Sequence, residues 1–180
     1  HEYTVNGSQI IKETVYVNGS ESYTLVYIYD ETGSPIGYRY RTPSYANGYF
    51  DAYFFEKNLQ GDVVAVYNQY GTKLATYTYD AWGNCTATYV NAGQNSPAQY
   101  NPIRYRSYYY DSETGFYYLQ SRYYDPFVQR FINADGYINA NGDLVGYNMY
   151  AYCSNNPVMF VDPTGNKAVP DMFFYALGAP

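Results

Sequence analysis

The stretch Tyr108-Tyr-Tyr110-Asp111-Ser-Glu-Thr-Gly115-Phe-Tyr117-Tyr118-Leu119-Gln-Ser-Arg122-Tyr-Tyr-Asp125-Pro126 decides how the rest of the chain reads. Aromatic residues run up to an aspartate, a glycine follows within a few residues, and a second aromatic run returns. An Asp side chain can accept hydrogen bonds from the backbone of a following turn, and Gly supplies the left-handed residue that sends the chain back. The unit is therefore a hairpin. Two shorter copies lie upstream, Tyr27-Ile-Tyr29-Asp30-Glu-Thr-Gly33 and Tyr77-Thr-Tyr79-Asp80-Ala-Trp-Gly83, and Asn58-Leu-Gln-Gly61-Asp62 and Tyr67-Asn-Gln-Tyr70-Gly71 read as degenerate ones. Their spacing is not strict, which describes a string of hairpins with variable inserts and not a regular solenoid.

Between the turns the pattern has period two. From Tyr23 to Tyr29 the odd positions are Tyr, Leu, Tyr and Tyr, and Tyr77 and Tyr79 alternate with Thr76 and Thr78. Alternation of this kind puts tyrosines on one sheet face and small or branched residues on the other. Asn6-Gly7 and Asn18-Gly19 read as two-residue hairpin turns, because both central positions of a type I′ turn need positive φ. Aromatics make up 22% of the 180 residues, 29 of them tyrosine, while charged residues reach only 14%. Tyrosine suits a half-wet sheet face, having a large ring and a hydroxyl that seeks a partner. The fold class expected is all-β: an antiparallel β-hairpin array forming a curved sheet, ending in an irregular core segment. The Gly-, Pro- and Asn-rich loops 41–48 and 91–98 are expected at a sheet rim. Hairpins are assigned to residues 1–100, the irregular core to 101–166, and a change of character, with the apolar run Met172 to Leu177, to 167–180. The opening Tyr3-Thr-Val5 suggests a piece cut from something longer.

Several function classes fall away. With 10 basic and 16 acidic residues, a net charge of −6 and no run of Lys or Arg, nucleic acid is not an expected partner. No stretch supplies the roughly 20 apolar residues of a membrane helix, so membrane insertion is not expected either. Cys85 and Cys153 sit far apart with no CxxC motif, and the one histidine is His1, so neither a metal site nor any cofactor is implied. Whether the cysteines are bridged stays open.

The ordered series of motifs then carries a resemblance. Beside the Tyr-Asp repeats stand Asn101-Pro-Ile-Arg104-Tyr-Arg106, Arg122-Tyr-Tyr-Asp125-Pro126, Arg130-Phe-Ile132, Gly146-Tyr-Asn148-Met-Tyr-Ala-Tyr152 and Asn155-Asn-Pro157, followed by Asp162-Pro163-Thr-Gly165. Together these closely resemble the Rhs (YD-repeat) proteins and their Rhs-associated core, over nearly the whole chain. The resemblance implies a bacterial protein, secreted or at the cell surface, whose hairpins spiral into a hollow shell. The core closes one end, and a variable C-terminal effector, often a toxin, follows the Asp-Pro-x-Gly motif. The partners implied are the rest of that shell and the effector.

Several family members cut themselves just after the motif, an activity attributed to an aspartyl-protease-like site. Carried over, the site is Arg122 and Asp135, with Gly165, Asn166 and Lys167 as the cleavage region; from the residues themselves, Asp125, Asp143 and Asp162 are the candidates for the second carboxylate. One carboxyl would act as base toward water, another would protonate the leaving amide, and an arginine would orient them. A structural ion pair between Arg122 and Asp135 is the simpler reading of the same residues. Two positions depart from the family pattern and weaken the case for cutting: Gly136 stands where Pro is common, and Asn166 where an apolar residue is common. The leading expectation is a container wall rather than an active enzyme. A carbohydrate-binding adhesion module, and self-association through open sheet edges, are the alternatives. Trp82 and the tyrosine rows 108–110 and 117–118 read first as packing residues.

Overall fold

The computed structural model describes residues 1–90, 96–136 and 148–171. All of the described strands pair antiparallel with their sequence neighbours, and the only helices among the described residues are short 3₁₀ turns. The first eight strands, β1 (Glu2–Asn6), β2 (Gln9–Val17), β3 (Ser20–Tyr29), β4 (Pro35–Arg41), β5 (Asp51–Lys57), β6 (Val63–Asn68), β7 (Lys73–Tyr79) and β8 (Cys85–Tyr89), form one sheet in sequence order. The strands β9 (Tyr109–Asp111), β10 (Phe116–Tyr118), β11 (Tyr123–Asp125) and β12 (Arg130–Phe131) form a second sheet, and β13 (Phe160–Val161) pairs with β14 (Val169–Pro170). The all-β hairpin array expected from the repeats is the fold observed.

Four of the turns are copies of one device. At Asp30, Asn58, Asn68 and Asp80 the side-chain Oδ1 accepts from the amides two and four residues on, at 2.9–3.0 Å. Three residues after each stands a glycine at positive φ. Asn58 and Asn68 serve as well as aspartate because the turn needs an acceptor and not a charge. The degenerate copies are thus structurally equal to the clear ones. Asn18-Gly19 forms the expected turn with both φ positive, whereas at the first hairpin Asn6 pairs with Gln9. The centre of that turn is Gly7-Ser8, one residue later than expected, with the positive φ carried by the glycine alone.

The chain divides into two compact units. The first comprises His1–Lys57, Val63–Tyr77 and Ala87–Asn101, and its core is a sheet face of buried Leu25, Tyr38, Tyr53, Val66, Ala75 and Tyr77. Tyr38 stacks on Tyr53 with centroids 5.1 Å apart, the cross-strand pairing that tyrosine alternation anticipates. Only the start of the 91–98 loop lies outside the described residues. Its end departs from the rim position expected, because the turn Pro97–Tyr100 covers the sheet face, with Ala98 fully buried. The phenols of Tyr38 and Tyr77 donate to the carbonyls of Pro97 and Ala98, so buried tyrosines find their partners in a segment with no strand neighbour of its own.

The second unit comprises Asn58–Asp62, Thr78–Thr86 and Pro102–Pro180. Its core gathers Tyr105, Tyr108, Tyr117, Leu119, Tyr124, Phe131, Tyr152 and Cys153, with Trp82 packed against it. Three consecutive carbonyls of the 80–83 turn, those of Ala81, Trp82 and Gly83, accept from the phenols of Tyr105, Tyr124 and Tyr117 at 2.7–2.9 Å. Gly83 permits this approach: its φ is +92°, and a Cβ there would come within 2.7 Å of the Tyr105 ring. Both cysteines are free thiols. Among the described residues no helix is long and apolar enough to cross a membrane, and no group of His, Cys, Asp and Glu could hold a metal ion.

Candidate functional site

The loop Asp162-Pro163-Thr164-Gly165 follows β13 and is held by a series of donors. Tyr108 Oη donates to the carbonyl of Asp162 at 2.8 Å. Gln120, Ser121 and Arg122, three residues in a row, then reach the carbonyls of Pro163, Thr164 and Gly165 in the same order. The Ser121 contact is 2.7 Å and the Gln120 contact a longer 3.4 Å, while Arg122 donates from Nε. Backbone geometry sets this register. Gln120 has a φ of +68°, which turns the chain sharply after Leu119 and presents the next side chains along the loop. Gly165 completes it with a φ of +73°, and a Cβ there would come within 2.7 Å of the Leu119 carbonyl and the Ser121 hydroxyl.

Arg122 is the centre of the site. It is buried, and its guanidinium lies over the Phe131 ring at 3.6 Å from the centroid. Nη1 donates to the Met149 carbonyl at 3.1 Å. Nη2 is shared by two carboxylates, Asp135 Oδ2 at 3.1 Å and Asp162 Oδ2 at 3.5 Å. The Asp135 amide also donates to Met149, so one carbonyl ties both members of the pair. Burial pulls the Arg122 guanidinium below its ordinary value, with the two aspartates pulling it back up.

Asp162 is the most enclosed of the carboxylates at the loop, 1% exposed. Its Oδ1 accepts from the amides of Asn166 and Lys167, both at 3.1 Å. Burial raises its pKa from the ordinary aspartate value, against the lowering pull of those amides and of Arg122. Desolvation and the surrounding donors thus act on this carboxyl in opposite directions, and burial prevails.

Of the residues singled out from sequence, Arg122, Asp135, Asp162 and Gly165 come together here. Pro163, Asn166 and Lys167 lie on the exposed rim of the same loop. Asp125 is engaged elsewhere, its Oδ1 accepting from the amides of Phe127 and Val128 in the turn after β11. Asp143 lies outside the described residues. Gln120, Ser121 and Met149 belong to the site without having been picked out, and Tyr108 was read only as a packing residue; the adjacency of Gln120 and Ser121 to Arg122 was the signal available, whereas Met149 left none. Tyr108 and Tyr117 are buried with their hydroxyls engaged, which makes them packing residues rather than an exposed aromatic row.

No protein-family model matches the chain. Over 143 residues, 79% of this chain, it is 41% identical to the tRNA3(Ser)-specific nuclease WapA of Bacillus spizizenii, of which it spans 6%. It is also 41% identical over 102 residues, 57% of this chain and 7% of the relative, to the double-stranded DNA deaminase toxin A of Burkholderia cenocepacia. The crystal structure of TcdB2-TccC3-Cdc42 superposes on 80% of this chain, 6% of that one, with a TM-score of 0.66 and 23% identity, a likeness of fold. The chain thus corresponds to a small part of long proteins, at least two of which are named for toxic or nucleic-acid-modifying activities. Its Tyr-Asp hairpins, its ordered closing motifs, these relatives and this fold bear out the resemblance to the Rhs (YD-repeat) proteins and their Rhs-associated core.

Proposed function

We propose that this chain is the terminal segment of an Rhs-type β-shell that encloses and delivers a C-terminal effector, and that the clamped loop at Gly165 is where wall gives way to cargo. One observation carries this reading. Two relatives, each 41% identical over more than half of this chain and so overlapping on it, are named for two unrelated reactions, tRNA cleavage and double-stranded DNA deamination. A shared stretch does not encode both chemistries, so the part held in common is the housing. The purified 180-residue chain is therefore expected neither to cleave tRNA nor to deaminate double-stranded DNA, and either activity would overturn the housing reading.

The loop also supports self-cleavage between Gly165 and Lys167. The amide nitrogens on Asp162, those of Asn166 and Lys167, are the leaving groups of the two peptide bonds in that region. Arg122 Nε polarises the Gly165 carbonyl, and Asp135 sits on the same guanidinium. In the hydrolysis this geometry allows, water attacks the carbonyl carbon and passes a proton to Asp135. Protonated Asp162 then gives its proton to the departing nitrogen as the C–N bond breaks. Intact-mass measurement of the full chain tests the step. Wild type should yield two fragments whose masses place the cut between Gly165 and Lys167, with Asp135→Ala and Asp162→Asn leaving one species; a single full-length species in all three would remove self-cleavage and leave the housing reading standing.

A further inference from the structure

A second buried arginine lies within the same unit, and neither the fold description nor the cleavage chemistry uses it. Arg106 is 7% exposed and has a φ of +50°, a conformation that a non-glycine residue adopts only when its surroundings fix it. Its Nη1 pairs with the carboxylate of Asp171 and donates to the Gln60 carbonyl at 3.1 Å, and its Nη2 donates to the Pro157 carbonyl at 2.8 Å. Its own amide donates to Asp62 Oδ1 at 2.8 Å. Asp171 is itself buried, and its amide donates to the Met159 carbonyl.

Asp171 lies downstream of Gly165, and so does β14, whose Val169 and Pro170 pair with Val161 and Phe160 of β13. We infer that Arg106 is the receptor of a latch: the segment Val169–Asp171 is a docked peptide that stays on the unit after the chain is opened between Gly165 and Lys167. The inference rests on the proposed cut, and it divides processing from release. Cutting removes one covalent link, whereas the pairing of β13 with β14 and the Arg106–Asp171 ion pair remain. Separating the pieces requires a buried guanidinium and a buried carboxylate to part, each losing a partner where water does not replace it.

The test makes the cut independently. A recognition sequence for an added site-specific protease is inserted between Asn166 and Lys167 of the full chain, the chain is cut to completion, and the products are passed through size exclusion under native conditions. The downstream fragment of the otherwise wild-type chain should co-elute with the rest and separate only in denaturant. With Asp171→Asn, which keeps the shape and removes the charge, the fragment should dissociate about a hundredfold faster. Release from the otherwise wild-type chain as fast as it is cut would overturn the latch, as would equal retention with and without the Asp171 charge. Intact mass before protease is added reports self-cleavage separately, so failure of that reaction and failure of the latch give different results.

Discussion

Arg122 donates its Nε to the carbonyl of Gly165, a residue 43 positions further along the chain. The same guanidinium holds Asp135 and Asp162, so the group that fixes the loop also gathers the carboxylates beside it. Removing it strands a buried acid. Arg122→Met is expected to cost about 3 kcal/mol in urea unfolding, more than Asp135→Asn, because breaking one side of a buried ion pair leaves the other charge uncompensated. Equal costs would show that the Asp162 contact contributes nothing.

Gly165 itself should resist substitution. Gly165→Ala must bear a left-handed φ, about 1–2 kcal/mol, and also push its Cβ away from the Leu119 carbonyl and Ser121 hydroxyl. The expected loss is at least about 2 kcal/mol in the same unfolding measurement. A loss under half of that would mean that the loop moves freely.

Asp162 gives the fold a definite pH response. Its folded pKa lies above the ordinary value of 3.8 because burial disfavours the charged form. The folded state therefore holds this proton more tightly than the unfolded state does, so the contribution is fully present below 3.8 and is lost as pH rises through the raised folded value. Asp162→Asn does not titrate, and groups that do not share the Arg122 guanidinium contribute equally to both proteins and cancel in the difference. Wild type should lose stability relative to Asp162→Asn between acid and neutral pH, and a flat or rising difference would contradict this.

The repeated turns predict a contrast between charge and acceptor. Asn68→Ala removes the Oδ1 that receives the amides of Tyr70 and Thr72, which should cost about 1–2 kcal/mol. Asn68→Asp keeps the acceptor and should stay within about 0.5 kcal/mol of wild type. Thermal unfolding of the two variants decides it, since equal losses would rule out the shared acceptor as the reason the turn forms.

The two thiols should differ in reactivity. Cys153 is 1% exposed, and burial pushes its pKa up to about 12, which keeps it from forming the reactive thiolate. Cys85 is only half-buried. Brief alkylation of the native protein should label Cys85 and spare Cys153 until denaturant is added, as read by peptide mass mapping.

The hairpins were readable because their causes are local. An Asp or Asn side chain finds its own amides two and four residues away, a glycine takes the positive φ, and alternation of tyrosine with small residues marks the buried face. All of these operate within one turn or one strand, so the chain states them directly. The centre of the first turn was displaced by one residue for the same kind of reason, since Gly7 alone meets the φ requirement when Asn6 stays in its strand. The site was legible only in part. Arg122 and the Asp162-Pro-Thr-Gly165 motif stand out as residue types, but nothing in their spacing says that Gln120, Ser121 and Arg122 fall in step with the carbonyls of Pro163, Thr164 and Gly165. Nor does it say that Arg106 waits for Asp171 while Asp125 caps its own turn. Those pairings join residues tens of positions apart, where the loops between them leave the register free. Only packing of the tyrosine core, which must give every buried hydroxyl and guanidinium a partner, selects which distant groups meet.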